Sequence, residues 1–314
     1  MRRRQHAGRL IVVSQFKSIT DSMRSQIDKA AVLLEALPYI QNFRGQTFLI
    51  KVGGSAMEDP SLVRGLLRDI VFLEAVGVNP VLVHGGGKAI SQAMKDEGLQ
   101  ARFCGGLRIT DEDTIRIVER TLNEVINPAL VEQINTLGGH AVGLSGKRVL
   151  VGRRTTGTDP RTGEATDLGY VGQVTGFETS PVIDAIAAEK VPVISPIAVE
   201  ADSGRTLNVN ADLAASALAG RLKVSKLVYL SDVLGVMRDP LDASTLMQTL
   251  RPAEIETLIG QEVINGGMIP KVRSALEALR QGVGKVHLID GRIKHSLILE
   301  IFTDRGIGTE IVLQ

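Results

Sequence analysis

The amino-acid sequence predicts an α/β fold built on a mainly parallel sheet and divided into two lobes. From Thr47 onwards, short apolar runs alternate with amphipathic helical segments. This rhythm is typical of parallel strands joined by right-handed crossover helices. The chain has 314 residues, of which 44% are hydrophobic, enough for two lobes or one large domain. We expect three parts, residues 1–45, 46–196 and 197–314.

The first 45 residues are predicted to be an appendage, because they precede the first strand. Residues 1–20 are rich in arginine and contain no acid, a composition typical of an organelle transit peptide. A disordered basic tail, or an upstream start codon with Met23 as the true start, also explains this composition, and we favour these interpretations. Apolar residues then recur at helical spacing up to Pro38, where the predicted helix ends. Such a helix packs on its own body or on a neighbouring subunit.

The middle part is predicted to alternate strands and helices before a β-rich segment. Its expected elements are strands Thr47–Val52, Val81–His84 and Val191–Ile194, and helices Ser61–Val76 and Ala89–Glu97. Residues 111–137 are predicted to be helical and interrupted at Pro128, because proline removes a backbone donor. Residues 148–175 are rich in glycine, threonine and valine without a helical period, which indicates β-hairpins.

The last part is predicted to repeat the alternation of helix and strand. Its expected elements are helix Ala211–Gly220, strand Lys226–Leu230, helix Met268–Gln281, strand Lys285–Ile289, helix Ser296–Phe302 and strand Thr309–Leu313. The second lobe is therefore expected to be α/β as well.

Composition excludes several classes of function. The formal net charge is +1, aromatic residues make up 3% of the chain and tryptophan is absent, so binding to nucleic acid is disfavoured. No apolar stretch approaches the roughly 18 residues that a membrane span needs. The single cysteine, Cys104, excludes an internal disulfide and is typical of a reducing compartment. We therefore expect a cytoplasmic protein.

Two glycine-rich loops, each directly after an apolar strand, are the strongest functional signal. They are Lys51-Val52-Gly53-Gly54-Ser55 and His84-Gly85-Gly86-Gly87. Glycine lets backbone N–H groups approach an anion closely, and a helix N-terminus behind the loop adds a favourable dipole. Two such loops in one βαβ unit, one of them with a lysine, indicate a phosphate channel.

The common nucleotide-binding fingerprints do not account for these loops. A P-loop would need glycine at position 141 and serine or threonine at position 148, where Ala141 and Arg148 stand. The dinucleotide motif fails at Ile90. An HGGG segment also forms the oxyanion hole of some hydrolases, but the required G-x-S-x-G elbow is missing, since Gly146 comes one position early. A hydrolase is therefore disfavoured, and we assign His84 a structural role.

Two lysines stand in equivalent settings in the two predicted lobes. Lys51 ends a strand directly before two glycines, and Lys271 follows Gly266-Gly267 near the start of a helix. A lysine where a strand or helix meets an anion loop is a suitable charge partner for phosphate. We predict this role for both.

Three further polar residues are candidates for the same site. Asp212 follows a segment that is polar at alternate positions, and we expect it to orient the lysines while Asn208 binds substrate. The alternative is that Asn210 or Asp212 is an ordinary helix cap. Arg108 follows a glycine pair and is suited to bind a carboxylate bidentately, unless it is a surface arginine in a hairpin.

Taken together, these segments resemble the amino-acid kinase family, in particular its arginine-inhibited branch that phosphorylates N-acetyl-L-glutamate. The resemblance covers nearly the whole chain from about Ala31 onwards. It is carried by IKVGGSAM at 50–57, PVLVHGGGKAI at 80–90, GLRIT at 106–110, NPALVEQIN at 127–135, LNVNAD at 207–212, LSD at 230–232, GGMIPKV at 266–272 and the run from 287 to 309.

The resemblance implies an open three-layer αβα sandwich around a mainly parallel sheet. Amino-acid substrate would bind to residues 46–196 and ATP, with Mg²⁺, to residues 197–314. The implied reaction is transfer of the γ-phosphoryl group of ATP to the side-chain carboxylate of N-acetyl-L-glutamate, the second step of arginine biosynthesis. The implied site residues are Lys51, Lys271 and Asp212 for catalysis, Lys51, Gly53, Gly54 and Lys271 for the ATP phosphates, and Gly86, Gly87, Arg108 and Asn208 for the substrate. We predict no protein metal ligand.

The resemblance also implies regulation. It suggests an arginine effector pocket that contains Tyr39, His287, Glu300 and Gly306, and an N-terminal helix that interlocks dimers into a homohexamer. A nitrogen-regulatory PII-type protein is a candidate partner. One departure is Gly105, where relatives commonly have asparagine, which implies a looser hairpin and weaker substrate binding. The alternatives are another amino-acid or carbamate kinase of this fold, or a non-catalytic arginine sensor.

Overall fold

The computed structural model describes residues 23–24, 26–158 and 162–313, and it divides after Phe43 into two compact units. In the first unit, residues 26–43 form helix α1, in which the rings of Tyr39 and Phe43 lie 6.2 Å apart. The predicted helix is confirmed, but its predicted end at Pro38 is wrong. A proline removes one backbone donor, and the remaining helical hydrogen bonds continue past it. The predictions for residues 1–22 lie outside the described residues.

The second unit, from Arg44 onwards, is organised around a mainly parallel sheet. In chain order its strands are β1 Thr47–Val52, β2 Asn79–His84, β3 Phe103–Cys104, β4 Leu107–Arg108, β5 Ala141–Leu144, β6 Leu150–Thr158, β7 Ala165–Phe177, β8 Val191–Ile194, β9 Ile197–Glu200, β10 Thr206–Asn208, β11 Lys226–Ser231, β12 Thr249–Leu250, β13 Lys285–Asp290 and β14 Thr309–Ile311.

Among the described residues, the sheet order is β12-β14-β13-β11-β1-β2-β8-β5. Every neighbouring pair from β13 to β5 is parallel, while β14 runs antiparallel to β13. The central strands β1, β2 and β11 are buried along almost their whole length, as expected for a parallel sheet that is covered on both faces. Their carboxyl ends meet at one edge, where the two glycine loops follow β1 and β2.

Helices cover both faces of this sheet, which confirms the predicted three-layer αβα sandwich. They are α2 Pro60–Ala75, α3 Gly87–Asp96, α4 Glu112–Arg120, α5 Asn127–Thr136, α6 Ser180–Ala187, α7 Ala211–Leu222, α8 Pro252–Gly260, α9 Met268–Arg280 and α10 Ser296–Ile301. The predicted elements are found within two residues of their expected ends. Of the helices in the described ranges, none is both long and apolar enough to cross a membrane.

The predicted interruption of the long helix near Pro128 is a π-helical turn over Thr121–Ile126, between α4 and α5. Proline in the first turn of α5 cannot donate a backbone hydrogen bond, so it is tolerated at that position. The wider turn brings Leu122 and Ile126 against the second glycine loop. A Cβ on Gly86 would lie 2.6 Å from Leu122 Cδ2 and 2.8 Å from Ile126 Cδ1. Glycine at 86 therefore permits this close approach.

The predicted hairpin over residues 148–175 is present as β6 and β7, which pair antiparallel. Together with β9 and β10 these strands close into a small barrel. Closure is not predicted from the sequence, because β9 and β10 are short and follow the pair after helix α6 and strand β8. The barrel joins segments on both sides of the predicted lobe boundary at residue 196, and the assignment of one ligand to each lobe stays a prediction.

Candidate active site

Two lysines share one carboxylate at the carboxyl edge of the sheet. Lys51 Nζ, near the end of β1, lies 2.7 Å from Asp212 Oδ1. Lys271 Nζ, in the first turn of α9, donates a hydrogen bond of 2.7 Å to Asp212 Oδ2. The Lys51 and Asp212 side chains are largely buried. The structure thus brings together three residues that lie far apart in sequence, and we call them the Lys–Asp–Lys cluster.

The Asp212 carboxylate faces the lysines because another residue caps its helix. Asn210 is the N-cap of α7, and its Oδ1 accepts from the backbone N–H groups of Asp212 and Leu213. Of the two alternatives left open by the sequence, the cap is therefore Asn210. Burial of Asp212 raises its pKa, but the charges of Lys51 and Lys271 outweigh burial and hold the pKa below its usual value. Asp212 is an anion between two cations.

The two glycine loops close around this cluster. A Cβ on Gly53 would lie 2.4 Å from Lys51 Nζ, so glycine leaves room for the lysine to fold back over its own loop. Gly54 has φ +65°, which favours glycine. The N–H of Gly85 donates to the carbonyl of Val52 at 2.7 Å and ties one loop to the other. Gly86 is the N-cap of α3 without a side-chain cap, so the helix presents its first N–H groups to an anion.

Arg108 extends from β4 towards the second loop. It is buried, and its Nη2 donates to the carbonyl of Gly87 and to Ser91 Oγ, both at 2.8 Å. The guanidinium also lies 4.8 Å from the centre of the Phe103 ring. Burial lowers its pKa from 12.5, yet an arginine stays charged in proteins. In the described parts of the chain no carboxylate forms an ion pair with Arg108, so its charge is available to a bound anion.

Two adjoining cavities connect these groups. The smaller has a volume of about 220 Å³, and its walls include Lys51, Gly53, Gly54, Gly86, Gly87, Arg108, Asn208 and Asp212. Lys271 does not line it directly and reaches it through Asp212. The larger, of about 550 Å³, shares Gly86, Gly87 and Arg108 with the smaller but has a mostly apolar wall. Asn208 donates to Thr110 Oγ1 at 3.2 Å. A small dianionic molecule would therefore meet two cations, Lys51 and Arg108, in the wall of the smaller cavity.

His84 holds the second loop rather than facing the cavity. Its ring is fully buried, with Nδ1 donating to the carbonyl of Gly85 at 2.9 Å and Nε2 accepting from Asn127 Nδ2 at 3.2 Å. Burial lowers the pKa of His84 to about 4, so the ring is neutral near pH 7. The geometry agrees with the predicted structural role. Asn127, which also donates to the carbonyl of Val193 at 2.8 Å, is missed by sequence analysis because an asparagine before proline has no distinctive pattern.

Three of the four predicted effector residues form a second cluster. His287 Nδ1 donates to Glu300 Oε1 at 2.6 Å, and Glu300 Oε2 accepts from the N–H groups of Ile307 and Gly308. A Cβ on Gly306 would lie 2.6 Å from Glu300 Oε2. Lys226 Nζ, which the sequence analysis does not single out, lies 3.3 Å from His287 Nε2. Burial lowers the pKa of Lys226 to about 8.

The second cluster, which we name the effector cluster after the role predicted for His287, Glu300 and Gly306, lies on the opposite face of the sheet from the Lys–Asp–Lys cluster. Lys51 pairs in register with Tyr229, and Tyr229 pairs with Leu288. His287 precedes Leu288, and successive side chains of a strand point to opposite faces. The fourth predicted effector residue, Tyr39, lies in the separate unit formed by α1.

The sequence matches one family model and several known proteins. The model of the amino acid kinase family matches residues 46–290. The acetylglutamate kinase of Akkermansia muciniphila is 53% identical, over 91% of this chain and 96% of that protein. The acetylglutamate kinase of Aquifex aeolicus is 45% identical, over 93% of this chain and all of that protein.

Solved structures of similar fold include two further kinds of protein. N-acetylglutamate synthase from Neisseria gonorrhoeae, complexed with coenzyme A and N-acetyl-glutamate, matches 91% of this chain with TM-score 0.78 and 27% identity. This chain covers 63% of that synthase. Carbamate kinase from Giardia lamblia matches 86% of this chain with TM-score 0.61 and 17% identity, a likeness of fold alone.

Proposed function

The chain belongs to the amino acid kinase family, and we propose that it transfers the γ-phosphoryl group of ATP to the side-chain carboxylate of N-acetyl-L-glutamate. The product would be N-acetyl-L-glutamyl 5-phosphate, an intermediate of arginine biosynthesis. One observation carries the proposal: Lys51 and Asp212 of the Lys–Asp–Lys cluster line the same small cavity as Arg108, which has no carboxylate partner among the described residues. Acetylglutamate kinases at 43–53% identity over about 92% of the chain support it.

The chemistry needs cations more than it needs a base. The acceptor carboxylate has a reference pKa of about 4.3 and is already ionised near pH 7. The difficulty is to hold two anions together while charge spreads over the transferred phosphoryl group. Preorganised cations and N–H groups lower that cost in a site from which water is excluded. Lys51 would meet the phosphoryl group from one side and Lys271 from the other, with the Asp212 carboxylate holding both ammonium groups in place.

Arg108 and Asn208 would hold the other end of the acceptor. A bidentate guanidinium suits the α-carboxylate, and the Asn208 amide suits the acetamido group. Gly86 and Gly87 would present N–H groups of the α3 N-terminus to the reacting carboxylate, and Gly53 and Gly54 would do the same for the ATP phosphates. The acceptor would then lie between Arg108 and Lys51, with its side-chain carboxylate directed at the cluster.

ATP use follows from membership of a kinase family, and we propose Mg²⁺ as its companion ion. Across the described residues there is no group of three or more histidine, cysteine or acidic side chains that could hold a metal. Asp212 is already held by two lysines. Mg²⁺ commonly binds through substrate phosphates and water with few protein ligands, and it would neutralise phosphate charge there. The positive charge of the chain itself then comes from Lys51 and Lys271.

We also propose feedback inhibition by L-arginine at the effector cluster. The Glu300 carboxylate would receive the guanidinium after exchanging part of its contact with His287, and Gly306 leaves the space beside Glu300 Oε2 free of a side chain. Tyr39 stays a predicted fourth effector residue. Binding of a PII-type protein belongs to the same regulatory proposal, and gel filtration of the mixed proteins tests it.

The N-terminal helix is proposed to interlock dimers into a homohexamer. Deleting residues 1–40 should convert the hexamer into dimers and weaken arginine inhibition, because Tyr39 and most of α1 are removed. Light scattering measures the mass, and an unchanged hexamer would rule out the interlocking role. A cytoplasmic location is proposed because the single cysteine, Cys104, is free and suits a reducing compartment.

An acceptor panel tests the reaction. Release of ADP is followed with N-acetylglutamate, free glutamate, aspartate, carbamate and UMP, each with and without arginine. We expect turnover with N-acetylglutamate only. Turnover with another acceptor would assign the chain to a different reaction of the same fold. A non-catalytic arginine sensor predicts arginine binding without any turnover, and Lys271→Ala separates the two, since a sensor has no turnover to lose.

A further inference from the structure

A buried tyrosine lies directly beneath the Lys–Asp–Lys cluster. Tyr229 is on β11, in register with Lys51 on the neighbouring strand β1, and its side chain is fully buried. Its single hydroxyl proton is shared between the backbone carbonyl of Asp212, at 3.3 Å, and Ser274 Oγ, at 3.1 Å. Ser274 Oγ in turn donates to the backbone carbonyl of Lys271 at 2.9 Å. The Tyr229 hydroxyl thus reaches the backbone of Asp212 directly and that of Lys271 through Ser274, while Lys51 is its neighbour on the adjacent strand.

The hydroxyl itself requires an explanation. A phenylalanine would fill the same space without a polar group to bury, and burying a hydroxyl is costly unless it is hydrogen-bonded. Burial also raises the pKa of Tyr229 above its ordinary value, so the hydroxyl keeps its proton and acts as a donor. Its partners belong to the first turn of α7 and the first two turns of α9, the helices that carry Asp212 and Lys271. A second bond, from Ser216 Oγ to the carbonyl of Ser274 at 2.7 Å, joins the same helices one turn further along.

We propose that Tyr229 is a positioning residue, whose hydroxyl sets the spacing between the first turns of α7 and α9. With that spacing, one carboxylate reaches both lysines at 2.7 Å. Reaction rates are sensitive to displacements of about 1 Å in groups that hold the reacting atoms. Without the hydroxyl, the first turns of α7 and α9 are joined by packing and by the Asp212–Lys271 contact alone, and Asp212 holds the lysines less firmly. The kinetic consequences rest on the proposed function.

The first test is Tyr229→Phe, which keeps the ring and removes the hydroxyl. Loss of one net hydrogen bond predicts a fall in kcat of roughly three- to tenfold. The KM for N-acetylglutamate should stay within about twofold, because Arg108 and Asn208 are untouched. Tyr170→Phe is the matched control: its hydroxyl bonds to Glu112 and Arg205 at the barrel. Its kcat should be unchanged. Equal losses in the two variants would overturn the proposal, because they would indicate a general effect on stability.

The second test repeats Tyr229→Phe in an Asp212→Asn background. If the tyrosine acts through Asp212, its removal should change kcat less than about twofold there. If the fold-loss of kcat in the double variant equals the product of the losses in the two single variants, the proposal is contradicted. If Tyr229→Phe does not fold, Ser274→Ala tests the same contact, because it removes the serine hydroxyl beside Tyr229. It should lower kcat and leave the KM for N-acetylglutamate unchanged.

A third readout separates this inference from the proposed reaction. A wild-type protein without turnover would refute the reaction, not the positioning role. MgATP binding, measured by calorimetry, should still weaken in Tyr229→Phe by roughly three- to tenfold and remain unchanged in Tyr170→Phe. Unchanged binding and unchanged turnover in Tyr229→Phe would overturn the inference.

Discussion

Replacing Asp212 with asparagine removes the negative charge on which the candidate site depends while keeping the side chain almost the same size. Asp212 lies 2.7 Å from Lys51 Nζ and 2.7 Å from Lys271 Nζ, and the cluster is largely buried. In Asp212→Asn, two ammonium groups face each other without a counter-charge. At a separation of roughly 5 Å and an effective dielectric constant of about 20, their repulsion is about 3 kcal/mol. The loss of a buried partner charge has a similar cost in general, about 3–5 kcal/mol.

Two outcomes follow from this repulsion. The lysines separate and no longer meet the phosphoryl group from both sides, so kcat should fall by roughly 10²- to 10³-fold, as for other preorganised electrostatic groups. The KM for N-acetylglutamate should change little, because the residues proposed to hold the acceptor, Arg108 and Asn208, are unaltered. The unfolding free energy should also fall by about 3 kcal/mol. ADP release and urea unfolding measure the two effects.

Asp69→Asn is the control for the chemical change itself. The Asp69 side chain is more deeply buried than that of Asp212 and pairs with His295 at 2.6 Å, at the contact between α2 and α10. Its substitution should lower stability and leave kcat within about twofold. If Asp212→Asn keeps wild-type kcat, or raises KM at constant kcat, then Asp212 does not organise the lysines and the electrostatic argument is refuted.

Three further predictions concern the surroundings of the cluster. Arg108→Gln should raise the KM for N-acetylglutamate by roughly 10- to 100-fold, because a charge-assisted pair is lost; an unchanged KM in the ADP assay would contradict the assigned role. Gly86→Ala should lower the unfolding free energy by about 1–3 kcal/mol, because its Cβ would lie 2.6 Å from Leu122 Cδ2. Gly87→Ala, with open space around the new Cβ, is the control and should melt like the wild type. Because the pKa of His84 is lowered to about 4, the unfolded chain binds this proton near pH 6.5 and the folded chain only near pH 4. The unfolding free energy should therefore keep its highest value above pH 6.5. It should decrease by about 3 kcal/mol as the pH is lowered from 6.5 to 4. An equal decline in His84→Asn, measured by urea unfolding at each pH, would refute this assignment.

The central strands could be predicted closely because local pattern and tertiary environment agree there. Thr47–Val52 is an apolar run ended by a glycine loop, and the strand has those bounds. The barrel could not be predicted, because β9 and β10 contribute only four and three residues and pair with strands remote in sequence. The π-helical turn over Thr121–Ile126 was likewise hidden, because sequence shows the interruption at Pro128 and not its geometry.

The candidate site was predictable where residue type carries the chemistry. Lysines beside glycine loops and an arginine after a glycine pair can be recognised from the amino-acid sequence alone. The choice between Asn210 and Asp212 as cap was not, since both are good caps, and only their three-dimensional partners distinguish them. Tyr229, Asn127 and Lys226 were missed for a related reason: each lies among ordinary strand or helix residues, and its role depends on partners brought close by the fold.

The identity of the phosphorylated product tests the central claim most directly. Hydroxylamine traps an acyl phosphate as a hydroxamate, and mass spectrometry identifies which carboxyl group has reacted. With ATP, Mg²⁺ and N-acetylglutamate, we predict one equivalent of the side-chain hydroxamate for each ADP released. ADP release without a hydroxamate, or a hydroxamate formed with free glutamate and not with N-acetylglutamate, would contradict the proposed reaction.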